Sequence, residues 1–241
     1  CFGPVAPGRE DSMQKTIIIV GAGIAGLSTG CYAQKNGYKT SIFESHAVPG
    51  GLCAAWTRKG YTFDISMHML ANSKFGPFKK MWDELEVTKD QEFYYHNSIV
   101  TVEGKEKKLD FRLDRASLKK QMLAVSPDDA VLIKEFNDIF FGRSIINLAS
   151  LDPPELTGLI GGIKTAISFI PLLRVFKKYG KATVQEFVAR LKDPFLARAI
   201  RSSVDTPGWP MPGYPMFALA GFAQAGGAGA GYPLGGSRKV M

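Results

Sequence analysis

The residues best suited to chemistry are three glycines and an acid. Gly21-Ala22-Gly23-Ile24-Ala25-Gly26 reads G-x-G-x-x-G, and Glu44 follows downstream with Ser45 beside it. Each glycine has a physical task. Gly21 permits a tight turn, Gly23 lacks the Cβ that would keep a pyrophosphate from the backbone, and Gly26 lets a helix pack closely on a sheet. The N-terminus of that helix offers free N–H groups and partial positive charge to phosphates. A carboxylate at Glu44 can accept hydrogen bonds from ribose hydroxyls, and it disfavours a 2′-phosphate.

Such a turn works only if a strand delivers it and a helix leaves it. Ile17 to Val20 is a short β-branched run, as expected of a strand buried on both faces. A helical pattern follows Gly26 and ends near Asn36-Gly37, and Lys39 to Phe43 forms a second strand that delivers Glu44. Strand, glycine turn, helix, strand and acid make an α/β, Rossmann-like dinucleotide fold.

Gly50-Gly51, followed by Leu52, lies just beyond Glu44, and Lys59-Gly60-Tyr61-Thr62-Phe63-Asp64 comes next, with His68 after it. This series resembles the FAD-dependent oxidoreductases of the phytoene desaturase, retinol saturase and amine oxidase group, most of all its retinol saturase and desaturase-like branch. Leu52 stands where amine oxidases and many phytoene desaturases carry Arg. Near the other end, Tyr232-Pro233-Leu234-Gly235-Gly236-Ser237 resembles the element by which that group returns to its flavin domain.

The resemblance implies FAD as cofactor. It implies a Rossmann-like FAD-binding domain of the GR2 type with an inserted α+β, mostly helical cap or substrate domain. The expected division is 1–13 as a disordered extension, 14–72 as the FAD-binding portion, 73–230 as the cap portion and 231–241 as the start of the return. On this reading the C-terminal half of the fold is absent and the isolated chain is inactive. Gly21, Ala22, Gly23, Ile24, Ala25, Gly26, Glu44, Ser45, Gly50, Gly51, Leu52, Asp64 and His68 are the expected cofactor-binding residues.

The expected reaction is hydride transfer to or from flavin N5 on an apolar polyene or isoprenoid, as desaturation, saturation or isomerisation. A flavin-dependent amine oxidase and a non-catalytic nucleotide-binding fragment are the alternatives. Catalytic residues are unassigned. His68 is the candidate, as a proton donor or a neighbour of the flavin ring; Asp64 is expected to fix geometry.

A net charge of +8 is compatible with an anionic membrane or nucleic acid, but the cations are not interleaved with aromatics on one face, which speaks against nucleic acid. Cys1, Cys31 and Cys53 form no C-x-x-C pair, so neither a disulfide framework nor a metal site is expected. Cys31 is expected in the core, and Cys53, after the Gly-Gly turn, either as a small buried hydrophobe or close to the flavin. No signal peptide is legible, and a cytoplasmic location is expected.

Farther along, Phe75 to Val87 predicts an amphipathic helix, and Tyr94 to Val102 with Lys108 to Leu113 a hairpin. Asp114 caps a helix through Val125, and Ser126-Pro127 starts another through Phe140. Pro153-Pro154 breaks the pattern. Thr183 and Glu186 form a capping box, Asp193-Pro194 starts a further helix, and a proline-aromatic loop spans Pro207 to Pro215. Residues 216–231 predict a helix and a glycine loop.

Leu156 to Phe176 is the most apolar stretch. Interrupted by Lys164 and Pro171, its uncharged runs fall short of the ~20 residues of a spanning helix. A buried cap helix, the lining of a tunnel for a lipophilic substrate, and a peripheral membrane contact through 156–181 all fit it. Arg174, Lys177, Lys178 and Lys181 favour the last.

Overall fold

The computed structural model describes residues 14–142, 154–205, 211, 213–225 and 229–241. The expected extension 1–13 lies outside them, as do Pro153, residues 207–210 and 212 of the proline-aromatic loop and 226–228 of the glycine loop. The described chain is mixed α/β and divides into two compact units, one of residues up to 68 with 81–92 and 233–241, the other of 69–80 and 93–232.

In the first unit, β1 (Thr16–Val20) pairs in parallel with β2 (Lys39–Phe43), with Ile17 opposite Thr40 and Val20 opposite Phe43. The connecting helix α1 (Ile24–Lys35) makes this a β–α–β unit. Burial on both faces of β1 does not hold. Ile19 is buried, whereas Ile18 is 68% and Val20 89% exposed. Side chains alternate along a strand; α1 lies over the Ile19 face, and among the described residues nothing covers the other. Cys31, expected in the core, is likewise exposed on α1. Strands β3 (Ala55–Arg58) and β4 (Tyr61–Asp64) form a hairpin whose turn residues, Lys59 and Gly60, both have positive φ, as a two-residue turn requires. Trp56 stacks on Phe63 at 4.5 Å between ring centroids.

The helix predicted over 75–87 is only α2 (Lys79–Glu84). Gly76 at φ +119 and Pro77 block extension backward, and a left-handed Glu86 at φ +60 ends it, with the Val87 N–H donating to Trp82 O at 2.9 Å.

In the second unit, the predicted strand 94–102 splits. β5 (Phe93–Tyr95) pairs with β8 (Gly231–Pro233), while β6 (Ser98–Glu103) forms the hairpin with β7 (Lys108–Arg112). Helices α3 (Arg115–Val125), α4 (Ala130–Phe140), α6 (Val184–Val188), α7 (Pro194–Val204) and α8 (Leu219–Ala225) surround one apolar core. Their starts follow the sequence. Asp114 accepts from Ser117 N–H at 2.7 Å, Thr183 and Glu186 complete the capping box, and Asp193 accepts from Leu196 N–H at 2.8 Å. Ser126 departs from expectation. Its hydroxyl donates to Asp129 Oδ2 at 2.8 Å, and a short 3₁₀ turn precedes α4.

The core centres on Phe136, which stacks on Phe140 at 5.4 Å and meets Phe187 at 6.3 Å and Phe111 at 6.4 Å. Helix α5 (Pro154–Tyr179) contradicts the buried-helix reading. It kinks at Gly158, and none of its described side chains is buried before Tyr179. Gly158–Tyr179 is also the one helix among the described residues long and apolar enough to cross a membrane, by length and composition, although the sequence predicted none.

Phe136→Ala should lower stability by about 3–5 kcal/mol through loss of buried surface and the cavity left behind. Val131→Ala, at a side chain 80% exposed on the same helix, should change it by less than about 0.5 kcal/mol. Urea denaturation of the two variants checks the contrast.

Candidate nucleotide-binding site

The site grows from the end of β1. Gly21, at φ +98, turns the chain and donates its N–H to Phe43 O at 2.7 Å, so the turn is tied to the end of β2. Gly23 then caps α1 with extended backbone and no side-chain hydrogen bond, and the helix's first turn carries no acid. The Leu27 N–H donates to Gly23 O at 2.9 Å and begins the intrahelical ladder. The N–H groups before it have no intrahelical acceptor.

The glycines divide by what a Cβ would meet. At Gly26 it would lie 2.0 Å from the Gly21 carbonyl oxygen, so the helix can approach the turn only without one. At Gly23 it would meet nothing within 4 Å. The protein's own packing gives no reason for glycine there, whereas a phosphate above the helix N-terminus would supply one. The residues therefore fit a bound pyrophosphate.

Glu44 sits beneath the same turn. Its Oε2 accepts the Ala22 N–H at 2.7 Å and its Oε1 the His46 N–H at 2.9 Å, with the Ser45 hydroxyl at 3.3 Å. The His46 and Ala22 backbone donors hold its carboxyl below the usual range. Oε1 thus has two donors, whereas Oε2 keeps a second lone pair that leaves acceptor capacity for a ribose hydroxyl.

Gly50 and Gly51 join this group. The Gly50 N–H donates to Ala22 O at 2.7 Å, and Gly50 bridges Gly23 in parallel. With φ of +116 and +55 the pair turns the chain into a short 3₁₀ segment, Gly51–Cys53. Leu52 is 74% exposed. Cys53 is half-buried, and that burial pushes its thiol up.

Asp64 ends β4 and works elsewhere. Its Oδ1 accepts both the Ser237 N–H at 2.9 Å and the Ser237 hydroxyl at 2.7 Å. Arg238 adds two bonds to Ala55 O, from Nε at 3.0 Å and Nη2 at 2.6 Å. Arg238 is not among the residues expected at the site, although it directly follows the Gly-Gly-Ser element. His68 is exposed beyond β4. The structure thus gathers Gly21, Ala22, Gly23, Gly26, Glu44, Gly50 and Gly51 at one turn, with Ile24 and Ala25 opening α1 and Ser45 beside Glu44. Asp64 meets the chain's return at Ser237.

Residues 19–85 match the NAD(P)-binding Rossmann-like domain. This chain carries that domain. It is also similar to phytoene desaturases. It is 32% identical over 93 residues to the 15-cis-phytoene desaturase of Narcissus pseudonarcissus, covering 37% of this chain and 16% of that protein. It is 24% identical over 196 residues to the lycopene-forming phytoene desaturase of a Paracoccus species, covering 77% of this chain and 36% of that protein. In fold it resembles an oxidoreductase from Methanosarcina mazei, with a TM-score of 0.51 at 19% identity, over 94% of this chain and 47% of the other. The matches thus span less than half of each of these relatives. The sequence-based resemblance to this oxidoreductase group and the Rossmann-like α/β fold both hold.

Within the Rossmann-like domain, Gly26→Ala should destabilise the fold by about 1–3 kcal/mol, because its Cβ meets backbone that must move. Glu44 predicts a pH dependence. Its folded pKa is lowered, so its contribution is complete above the unfolded value near ~4.3 and is lost as pH falls through the folded one. The urea midpoint of the parent chain should therefore fall more steeply below that pH than that of Glu44→Gln.

Proposed function

We propose that the chain is the nucleotide-binding portion of an FAD-dependent oxidoreductase that acts on an apolar polyene or isoprenoid. The observation that carries the FAD reading is the Gly50–Gly51 turn bonded directly onto the Gly21–Gly26 turn. A nicotinamide dinucleotide needs only the first turn and the acid. A second glycine turn adds backbone with little side-chain bulk where the diphosphate of FAD would lie.

In this reading the α1 N-terminus holds the pyrophosphate, Glu44 takes the adenosine ribose, and Gly23 leaves the approach open. Flavin, when bound, supplies hydride or electron-pair transfer at a substrate carbon. The chain's own residues supply binding and orientation. Asp64, Ser237 and Arg238 fix the strand pair β3–β4 against the returning segment. The polyene class is supported by the desaturase relatives, whose names give phytoene as substrate.

Titration of the purified chain tests the reading. FAD should bind with quenching of its fluorescence, and NADP should bind at least about tenfold more weakly because Glu44 faces its 2′-phosphate. Gly23→Ser should keep thermal stability within a few tenths of a kcal/mol, since serine is a good N-cap. It should nevertheless weaken FAD binding by about tenfold or more. A chain that binds neither dinucleotide, or a Gly23→Ser variant that binds FAD as well as the parent, would sink the proposal.

A further inference from the structure

The second unit carries a cleft of about 380 Å³, within the size range of small-molecule sites. Lys74 and Phe75 form one wall. Tyr95 at the end of β5, His96 and Asn97 beyond it, and Arg112 at the end of β7 form the others. All of these residues belong to the same compact unit.

The polar part of the lining is rich in donors. The Lys74 ammonium lies 5.0 Å from the centre of the Tyr95 ring and has no hydrogen-bond or ion-pair partner among the described residues. Arg112 has a single contact, from Nη2 to Asp110 Oδ2 at 3.5 Å, and the other oxygen of that acid takes the Thr101 hydroxyl at 2.6 Å. Most of the five guanidinium N–H groups therefore lack an acceptor among the described residues. The backbone carbonyl of Asn97 accepts the Leu113 N–H at 3.0 Å, while its side-chain amide adds further donors to the lining. The one carboxylate in the wall, Asp114, is committed to the start of α3, where its Oδ1 accepts the Ser117 N–H at 2.7 Å.

The remaining lining is flat. The Phe75 ring is half-exposed and lies along the backbone at Gly229. A Cβ on Gly229 would fall 3.1 Å from Phe75 Cε2 and 2.8 Å from the Phe75 carbonyl oxygen, and its φ of +94 already favours glycine. Tyr95 adds a second ring beneath Lys74. The His96 imidazole, edge-on to Tyr94 at 4.8 Å between ring centres, adds a third.

We propose that this cleft binds an organic oxyanion, a phosphate or carboxylate carried on a flat apolar ring, with Lys74 and Arg112 on the anion and Phe75 and Tyr95 beside the ring. A guanidinium fork matches the oxygens of either anion. A neutral apolar ligand would cover two cations without pairing them, which costs free energy. A bare inorganic anion would leave the rings unused. The lining shares no residue with the glycine turns, so the inference does not rest on their reading as a nucleotide site.

Calorimetric titration of the full chain with 1-naphthyl phosphate tests this. Binding should saturate with a Kd of about 1 mM or lower. 1-Naphthol, which lacks the anion, and inorganic phosphate, which lacks the ring, should each bind at least about tenfold more weakly. Lys74→Gln with Arg112→Gln should weaken 1-naphthyl phosphate binding by about tenfold or more, and Phe75→Ser by about threefold or more. Both cations are exposed, so the double variant should keep the urea midpoint of the parent. Lys134→Gln, at an exposed cation on α4, should leave binding unchanged. Absence of saturable binding overturns the proposal, as does a double variant that binds like the parent. Equal binding of 1-naphthol overturns it in favour of an apolar cleft, and equal binding of inorganic phosphate in favour of a simple anion site.

Discussion

The peptide units around Ala22 are the constraint on which the Rossmann-like unit rests. The Ala22 N–H points to Glu44 and its C=O receives the Gly50 N–H. The glycine turn, the acid after β2 and the second glycine turn therefore share one buried residue. Neither bond survives unless the turn keeps its shape. That shape depends on Gly26, where any side chain would strike the Gly21 carbonyl. The chemistry of the site is thus mostly backbone chemistry. Side chains enter only through Glu44, whose charge is stabilised by the same donors that hold the turn.

The other unit uses buried or half-buried carboxylates to similar effect. Asp129 accepts the Ser126 hydroxyl and the N–H groups of Lys192 and Asp193, which ties the start of α4 to the start of α7. Burial works against its charge, but the Lys192 backbone and Ser126 bonds prevail and its pKa is lowered. Glu135 behaves alike. Burial opposes its ionisation, and the Tyr179 hydroxyl, Lys178 and Arg190 more than offset that. Through Tyr179 this acid fixes the last turn of α5.

Local signals were readable in the sequence and non-local ones were not. β1, α1 and β2 follow from the β-branched run, the glycine spacing and the Asn36-Gly37 stop. Thr183 with Glu186 and Asp193 with Pro194 start helices because capping is decided within four residues. The helix expected over 75–87 is longer than α2 because apolar periodicity does not register a left-handed Glu86 or the Asn72 side chain packed against Gly76. Cys31 and Val20 looked like core because their types are apolar, yet burial depends on what covers a face. The same ambiguity hid the exposure of α5. The pairing of β5 with β8 and of Asp64 with Ser237 joins distant segments, and no local pattern encodes such a pair.

The Asp64–Ser237 contact has a kinetic consequence. It closes a separation of 173 residues. Closing so long a loop from an unfolded chain carries an entropic cost that grows with the logarithm of its length, and long-range contacts slow folding. The intervening unit removes much of that loop when it folds. Leu70 and Gly231 then exchange hydrogen bonds at 2.8 and 3.2 Å, holding its two ends side by side. The favoured order is therefore insertion first and nucleotide unit last. During synthesis, β3 and β4 emerge early but gain their Arg238 and Ser237 contacts only after the intervening unit has left the ribosome.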